Sequence, residues 1–353
     1  GCEKYERSSL KKGYRNGYRV RKKVLTTLGA IENFKKPRIK GIIYESKILA
    51  GYQRRCKNFD KAILTYYVKG TSCRRIRDIF ARIFKTSFSH NQISEILKKL
   101  EDKLNEWREQ EINETYDALI IDGIWINIRT LPKIIRKTMK KLTKGVILAV
   151  MGLTKKGKKK ILGFKFCNSE SQSNWEGILN DLVGRGLKLN ENGIIVHDGC
   201  EGLISAINVI FPYAKTQHCL FHFIRGTIQH INNKNNYKEV KKDLSLVYQK
   251  SKNQKDAIKN IKKFTKKWWN KEHRLIKYIN KHFYKTITYL EYEIDWQRKI
   301  KTTNYLERTF KEIGRKIKDV GVFPNVYSAE RIVFLEIMEL NYKFTSEVPF
   351  YVS

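Results

Sequence analysis

The sequence predicts an α/β core, a mixed five-stranded sheet with helices, preceded by a basic, mainly helical region and followed by a long helical stretch. Three observations predict it. A short apolar, β-branched run, Gly193 to Val196, reads as a buried strand that leads to Asp198, where Gly199 frees the backbone to turn into an amphipathic helix. At Asp117 the hydrophobic period changes from helical to extended. From there the elements come in the order strand, strand, strand, helix, strand, helix, strand, an antiparallel meander joined to parallel strands by crossover helices.

Residues 1–41 are basic and Gly-punctuated, and GYRNGYRVRKKVLTTLGAIENFKKPR reads as two short strands around a turn at Gly29. Residues 42–112 become helical. Ile76, Ile79, Phe80, Ile83 and Phe84 recur at three and four, as do Ile93, Ile96, Leu97, Leu100 and Leu104. KTSFSHNQ joins the two helices, and its Ser89 and Gln92 have capping-box spacing for the second. With Arg74, Arg75 and Arg77 on the first member, residues 71–104 suit a DNA-binding helix-turn-helix, although an ordinary helical hairpin has the same pattern.

Residues 113–225 hold the alternating elements. DALIIDGIWINIR is apolar from Ala118 to Ile121 and then alternates, which places Asp122 inside a strand. A basic loop with Lys133, Arg136, Lys137, Lys140 and Lys141 follows, and these are candidate phosphate contacts. GVILAVMGLT and ILGFKFC complete the meander across the turn TKKGKKK, and SQSNWEGILNDLVGRG is a helix built on Trp175, Ile178, Leu179 and Leu182. This element order is the ribonuclease H-like topology, in which the first and fourth strands are neighbours, so Asp122 and Asp198 are expected side by side. Residues 226–300 are helical and rich in lysine and aromatics; Trp268, Trp269 and Trp296 suit either stacking on exposed bases or packing of helices, with packing expected for at least two of the three. Residues 301–353 contain the stripe Leu306, Phe310, Ile313 and Ile317, a helix that can pack on the sheet with Glu307 beside its apolar face.

Charge decides the partner class. Seventy-two Lys and Arg against 35 Asp and Glu give the 353 residues a net charge of +37, with 41% hydrophobic residues, enough for buried cores. A basic excess on a folded chain points to a polyanion, because Lys and Arg contacts to phosphate supply most non-specific nucleic-acid affinity. No apolar run approaches the ~18 residues of a membrane span, so no membrane partner is expected. Cys2, Cys56, Cys73, Cys167, Cys200 and Cys219 are scattered without a CxxC pair, which fits a reducing, intracellular setting. The chain opens on Gly1 and enters charged sequence directly, so an upstream segment is expected to be missing.

The acids supply the chemistry. Two divalent metals held by converging carboxylates can activate an attacking oxygen and stabilise a leaving one in phosphodiester displacement. An acid inside an apolar strand stands out, because burying a carboxylate without a cation or partner is costly. Asp122 is the best instance and Asp198 the second, while spacing alone leaves Glu307 in competition with Glu291, Glu293 and Asp295.

Four blocks carry a resemblance. DGIWINIR, VHDGCEGLISAI, FPYAKTQHCLFHFIR and TTNYLERTFKEIGRKIKDVGVFPNVYSAERI, in that order and spacing, resemble the Mutator-like transposases of bacterial and archaeal insertion sequences, from about Gly13 to about Leu340. The resemblance implies a ribonuclease H-like core interrupted by a helical insertion, and a DDE triad on Asp122, Asp198 and Glu307 that binds two Mg²⁺ or Mn²⁺ ions. It implies cleavage at transposon ends and transfer of the 3′-hydroxyl into target DNA. The partners implied are double-stranded DNA, as terminal inverted repeats and target, and a second copy of the chain, with no small-molecule substrate and a cytoplasmic or nucleoid-associated location in a prokaryote. The family's C/DxxH signature falls on Cys219 and His222, where a role in placing a strand or orienting a carboxylate is expected in preference to metal ligation. Arg225, Arg308 and Arg315 lie in the same blocks and are further candidate DNA contacts. Two departures stand out: members usually have a further N-terminal helical DNA-binding region, and the last block is less arginine-rich than many. A catalytically inactive DNA-binding relative, or a ribonuclease H-like nuclease without strand transfer, would share these features.

Overall fold

The computed structural model describes residues 13–26, 29–41, 49, 55–68, 71, 73–84, 89–129, 142–320 and 326–345. It divides into a unit that reaches Leu104 and a second unit, Asn105–Glu347. In the first, β1 (Tyr14–Thr26) and β2 (Gly29–Lys40) form an antiparallel ribbon, longer than the two short strands expected. The helices α1 (Lys57–Val68) and α2 (Cys73–Phe84) follow, and α3 (His90–Glu109) begins here. Phe59 and Phe80 meet edge to face at 5.2 Å between ring centres in their core. The capping box of α3 forms as its spacing predicts: Gln92 N–H donates to Ser89 Oγ, and Ser89 N–H donates to the Gln92 amide oxygen.

The second unit is built on a five-stranded mixed sheet in the order β5-β4-β3-β6-β7. Its strands are β3 (Thr115–Arg129), β4 (Leu142–Leu153), β5 (Lys159–Cys167), β6 (Lys188–His197) and β7 (Lys215–His218). β3, β4 and β5 pair antiparallel, and β6 and β7 are added in parallel beside β3. The first and fourth strands of the core are therefore neighbours, as the element order predicts. Parallel pairing requires crossovers, supplied by α4 (Gln172–Gly184) and α5 (Glu201–Ile210). Trp175, Ile178, Leu179 and Leu182 of α4, with Leu203, Ala206 and Ile207 of α5, bury against Leu119, Ile121, Leu148 and Ile195 of the sheet.

Helices follow from β7: α6 (Leu220–Ile228), α7 (Tyr237–Gln249), α8 (Gln254–Trp268), α9 (His273–His282) and α10 (Ile294–Ile300). Then α11 (Asn304–Val320) packs on β3 and α12 (Val326–Thr345) on β5. Asn341 of α12 satisfies both the N–H and the carbonyl of Ile161 on the edge strand β5, beside the shift in the β4–β5 register. No helix among the described residues is long and apolar enough to cross a membrane.

Candidate active site

Ile121 pairs with His197 at the end of the β3–β6 ladder, so the next residue on each strand is an aspartate. Asp122 is 5% exposed, and its Oδ1 accepts the N–H of Gly123 at 2.8 Å. Burial, and then the charge of Asp198, push its carboxyl up to about 7; Glu307 adds to the rise, while His222 and the Gly123 N–H oppose it.

Asp198 stands where the chain leaves β6. Gly199 follows at φ +96, in the left-handed region, and a Cβ there would lie 2.3 Å from Nε2 of His218. The turn lets Asp198 Oδ1 accept the N–H of Cys200 at 2.9 Å, at the start of α5. The Asp198 carbonyl accepts from His218 Nε2 at 2.8 Å, which fixes that ring's tautomer. His197 and His218 stack beneath the turn, 5.7 Å between ring centres. Burial is the foremost cause that pushes them down to about 3 and about 4, so both are neutral supports at neutral pH.

Glu307 arrives from the first turn of α11, where the helix N-terminus favours an anion. Thr303 holds it: the hydroxyl donates to Glu307 Oε1 at 2.9 Å and the carbonyl accepts the Glu307 N–H at 3.0 Å. Thr303 is fully buried, and its N–H donates to Cys219 Sγ at 3.3 Å. Cys219 sits between β7 and α6, and its own N–H donates to the His197 carbonyl at 2.8 Å. A line of contacts thus runs from the His197 strand through Cys219 and Thr303 to Glu307.

Among the described residues, Cys219, His222 and Glu307 each bring one potential ligand atom within 4.8 Å of the others. The geometry admits a cation. Burial works to lower the His222 pKa, but the Cys219 sulfur and the charges of Asp122 and Asp198 prevail and push it up to about 9. In the metal-free protein the imidazole is therefore a counter-charge to the acids. Asp122, Asp198 and Glu307 supply hard oxygens of the kind a divalent cation prefers, and the charges of Asp198 and Glu307 both raise the Asp122 carboxyl.

The model of the family described as "Transposase, Mutator family" matches residues 1–347. The chain belongs to the Mutator family of transposases. Among curated relatives, it is 30% identical to the transposase for insertion sequence element IS256 in transposon Tn4001 of Staphylococcus aureus, over 96% of this chain and 84% of that one. It is 28% identical to the transposase for insertion sequence element ISRM5 of Rhizobium meliloti, over 94% and 80%. The transposase for IS406 of Burkholderia multivorans is 27% identical over 97% and 85%.

On this Mutator-family chain the candidate DNA contacts divide. Arg74 and Arg75 of α2 are exposed, and Arg77 pairs with Asp78. Arg225, Arg308 and Arg315 are exposed, Arg315 pairing with Glu312. Lys133, Arg136, Lys137, Lys140 and Lys141 lie outside the described residues. Trp268 and Trp296 are 1% and 6% exposed, so their rings pack among the helices and the stacking alternative is corrected for these two, whereas Trp269 is 45% exposed. The spacing of Ala257, Ile261, Phe264 and Trp268 on α8 is an apolar stripe that carried this information.

Two residues of the site escape the sequence reading. Thr303 is an ordinary loop threonine until its two partners are seen. Glu170, between β5 and α4, has its carboxyl raised by burial and then by the charge of Asp198. It sits in the polar stretch NSESQS, with no period to single it out.

Proposed function

We propose that this chain is a DDE-type transposase that cuts DNA at the ends of its element and transfers the freed 3′-hydroxyl into target DNA. The observation that carries the reading is that Asp122 lies in β3 and Asp198 directly follows β6, the parallel strand beside it, while the charges of both Asp198 and Glu307 act on the Asp122 carboxyl. The three carboxylates would hold divalent cations, Mg²⁺ or Mn²⁺, which supply Lewis-acid stabilisation to the attacking and leaving oxygens of a phosphodiester.

The chain's own residues arrange the rest. Asp122 and Asp198 keep their positions through main-chain hydrogen bonds, and Thr303 fixes the Glu307 carboxylate through its hydroxyl. Cys219 holds Thr303, and protonated His222 offsets part of the acidic charge. Exposed Arg225 and Arg308 provide phosphate contacts. The segment between α6 and α11 is the helical insertion, two copies bring the two DNA ends together, and the chain acts where the DNA is, in the cytoplasm or nucleoid.

The test is cleavage and joining of DNA carrying the element's own ends, in Mg²⁺ or Mn²⁺, with wild type and Asp198→Asn. Metal-dependent 3′-hydroxyl ends and joined product, both lost in the variant, are expected. Cleavage without joining would reduce the reading to a nuclease, and end binding without cleavage by the wild type would reduce it to a DNA-binding protein.

A further inference from the structure

Glu170 precedes Ser171, whose hydroxyl caps α4 by accepting the N–H of Asn174. Its main chain rests on the start of α5: the Glu170 carbonyl lies 3.6 Å from Cys200 Sγ, and a Cβ on Gly202 would come within 2.5 Å of the same oxygen. That start of α5 is the turn that carries Asp198. The side chain reaches the opposite way. A Cβ on Gly123 would lie 2.2 Å from Glu170 Oε1, and Oε2 accepts the indole N–H of Trp125 at 3.3 Å. Glu170 therefore spans the gap between the turn after Asp198 and the strand residue after Asp122, and the absent side chain at Gly123 leaves the room its carboxylate occupies.

Its partners do not account for it. The Trp125 indole is a single neutral donor, and among the described residues no donor bonds to Oε1. A half-buried carboxylate packed between the turn after Asp198 and the strand residue after Asp122, with one neutral donor, is costly unless a cation compensates it. Mg²⁺ keeps several waters when bound by proteins, and carboxylates that accept hydrogen bonds from such waters tune affinity.

We propose that Glu170 is a fourth acidic residue of this active site, its Oε1 adding to the charge that Asp122 and Asp198 present to a divalent cation. The proposal rests on the metal-dependent reading given above. Glu170→Gln keeps the size of the side chain and an acceptor for Trp125 while removing the charge.

The experiment is Mn²⁺ titration of the full chain by electron paramagnetic resonance, without DNA, alongside thermal melts of the metal-free protein. Wild type, Glu170→Gln, Asp198→Asn and a control, Glu191→Gln on the exposed start of β6, are compared. Glu170→Gln should weaken Mn²⁺ binding about tenfold with an unchanged melt, and the control should bind as wild type. Wild-type affinity in Glu170→Gln, with binding lost in Asp198→Asn, overturns the role of Glu170 and leaves the metal reading standing. No binding by the wild type overturns both. Should Glu170→Gln melt early, Trp125→Phe removes the same hydrogen bond and keeps the charge: Mn²⁺ affinity retained there supports the proposal, and affinity lost in step with the melt overturns it.

Discussion

Asp122 and Asp198 take their hydrogen bonds from the main-chain N–H groups of Gly123 and Cys200, whereas Glu307 takes its own from the hydroxyl of Thr303, which in turn leans on the sulfur of Cys219. The sheet side of the site is set by a ladder that forms with the fold. Its helix side is set by side chains from separate elements. The difference teaches where the site can be adjusted without unfolding: a ladder cannot be loosened at one residue, but the contact line through Thr303 can. Glu307→Gln tests the charge alone, because the amide oxygen still accepts from Thr303. Metal-dependent cleavage of end-bearing DNA should fall by more than ~10³-fold, since each ~1.4 kcal/mol of lost stabilisation is tenfold in rate. Cleavage within tenfold of wild type would remove Glu307 from the chemistry and leave the two strand acids as the site.

Thr303→Val sharpens the comparison, because it keeps the buried volume and removes the hydroxyl that Glu307 uses. The expected loss is about 10- to 100-fold in cleavage rate, the range for partners that orient ligands. Thr303→Ser should recover most of it. Mn²⁺ binding by the Asp122 and Asp198 side should survive in both variants. Equal loss in the Ser and Val variants would mean that Thr303 acts through packing, and that the helix side is no more adjustable than the sheet side.

The same division explains what the sequence discloses. Asp122 and Asp198 are legible because a strand imposes a period of two and an apolar run, and an acid interrupting or ending that run is conspicuous. The element order then places both acids on neighbouring strands. Glu307 lies on a helix whose stripe is equally clear, but spacing left Glu291, Glu293 and Asp295 as rivals, and the resemblance singled it out. Thr303 and Glu170 are held by contacts from distant parts of the chain, and no local period marks such residues. The ribbon of β1 and β2 agrees with the pair of strands expected, but its strands run longer and Gly29 opens β2, because a mostly exposed strand shows no alternation to mark its ends.

The smallest expected effect separates the strand acids from the ladder that holds them. An unfolded Asp122 titrates near 3.8 and the folded one at about 7, so the native state holds this proton more tightly. Its contribution to stability is therefore complete below about pH 4 and is lost as pH rises through 7. His197 and His218 work in the opposite direction over nearly the same window. Lowered from 6.5 to about 3 and about 4, they are neutral when folded, and stability is lost as pH falls below 6.5 because the unfolded imidazoles take up protons first. In wild type the two trends partly cancel, so the informative quantity is the difference between wild type and Asp122→Asn in metal-free melts. The two proteins should melt alike below pH 4, and the variant should be more stable above pH 7, by a few degrees. Excess Mg²⁺ should then raise the wild type above pH 7, where the carboxylate is ionised and able to bind, and raise the variant much less. Identical melting curves for the two proteins across this range would mean that Asp122 pays no penalty for its place in the strand, and the case for a cation at the sheet side would lose its electrostatic ground.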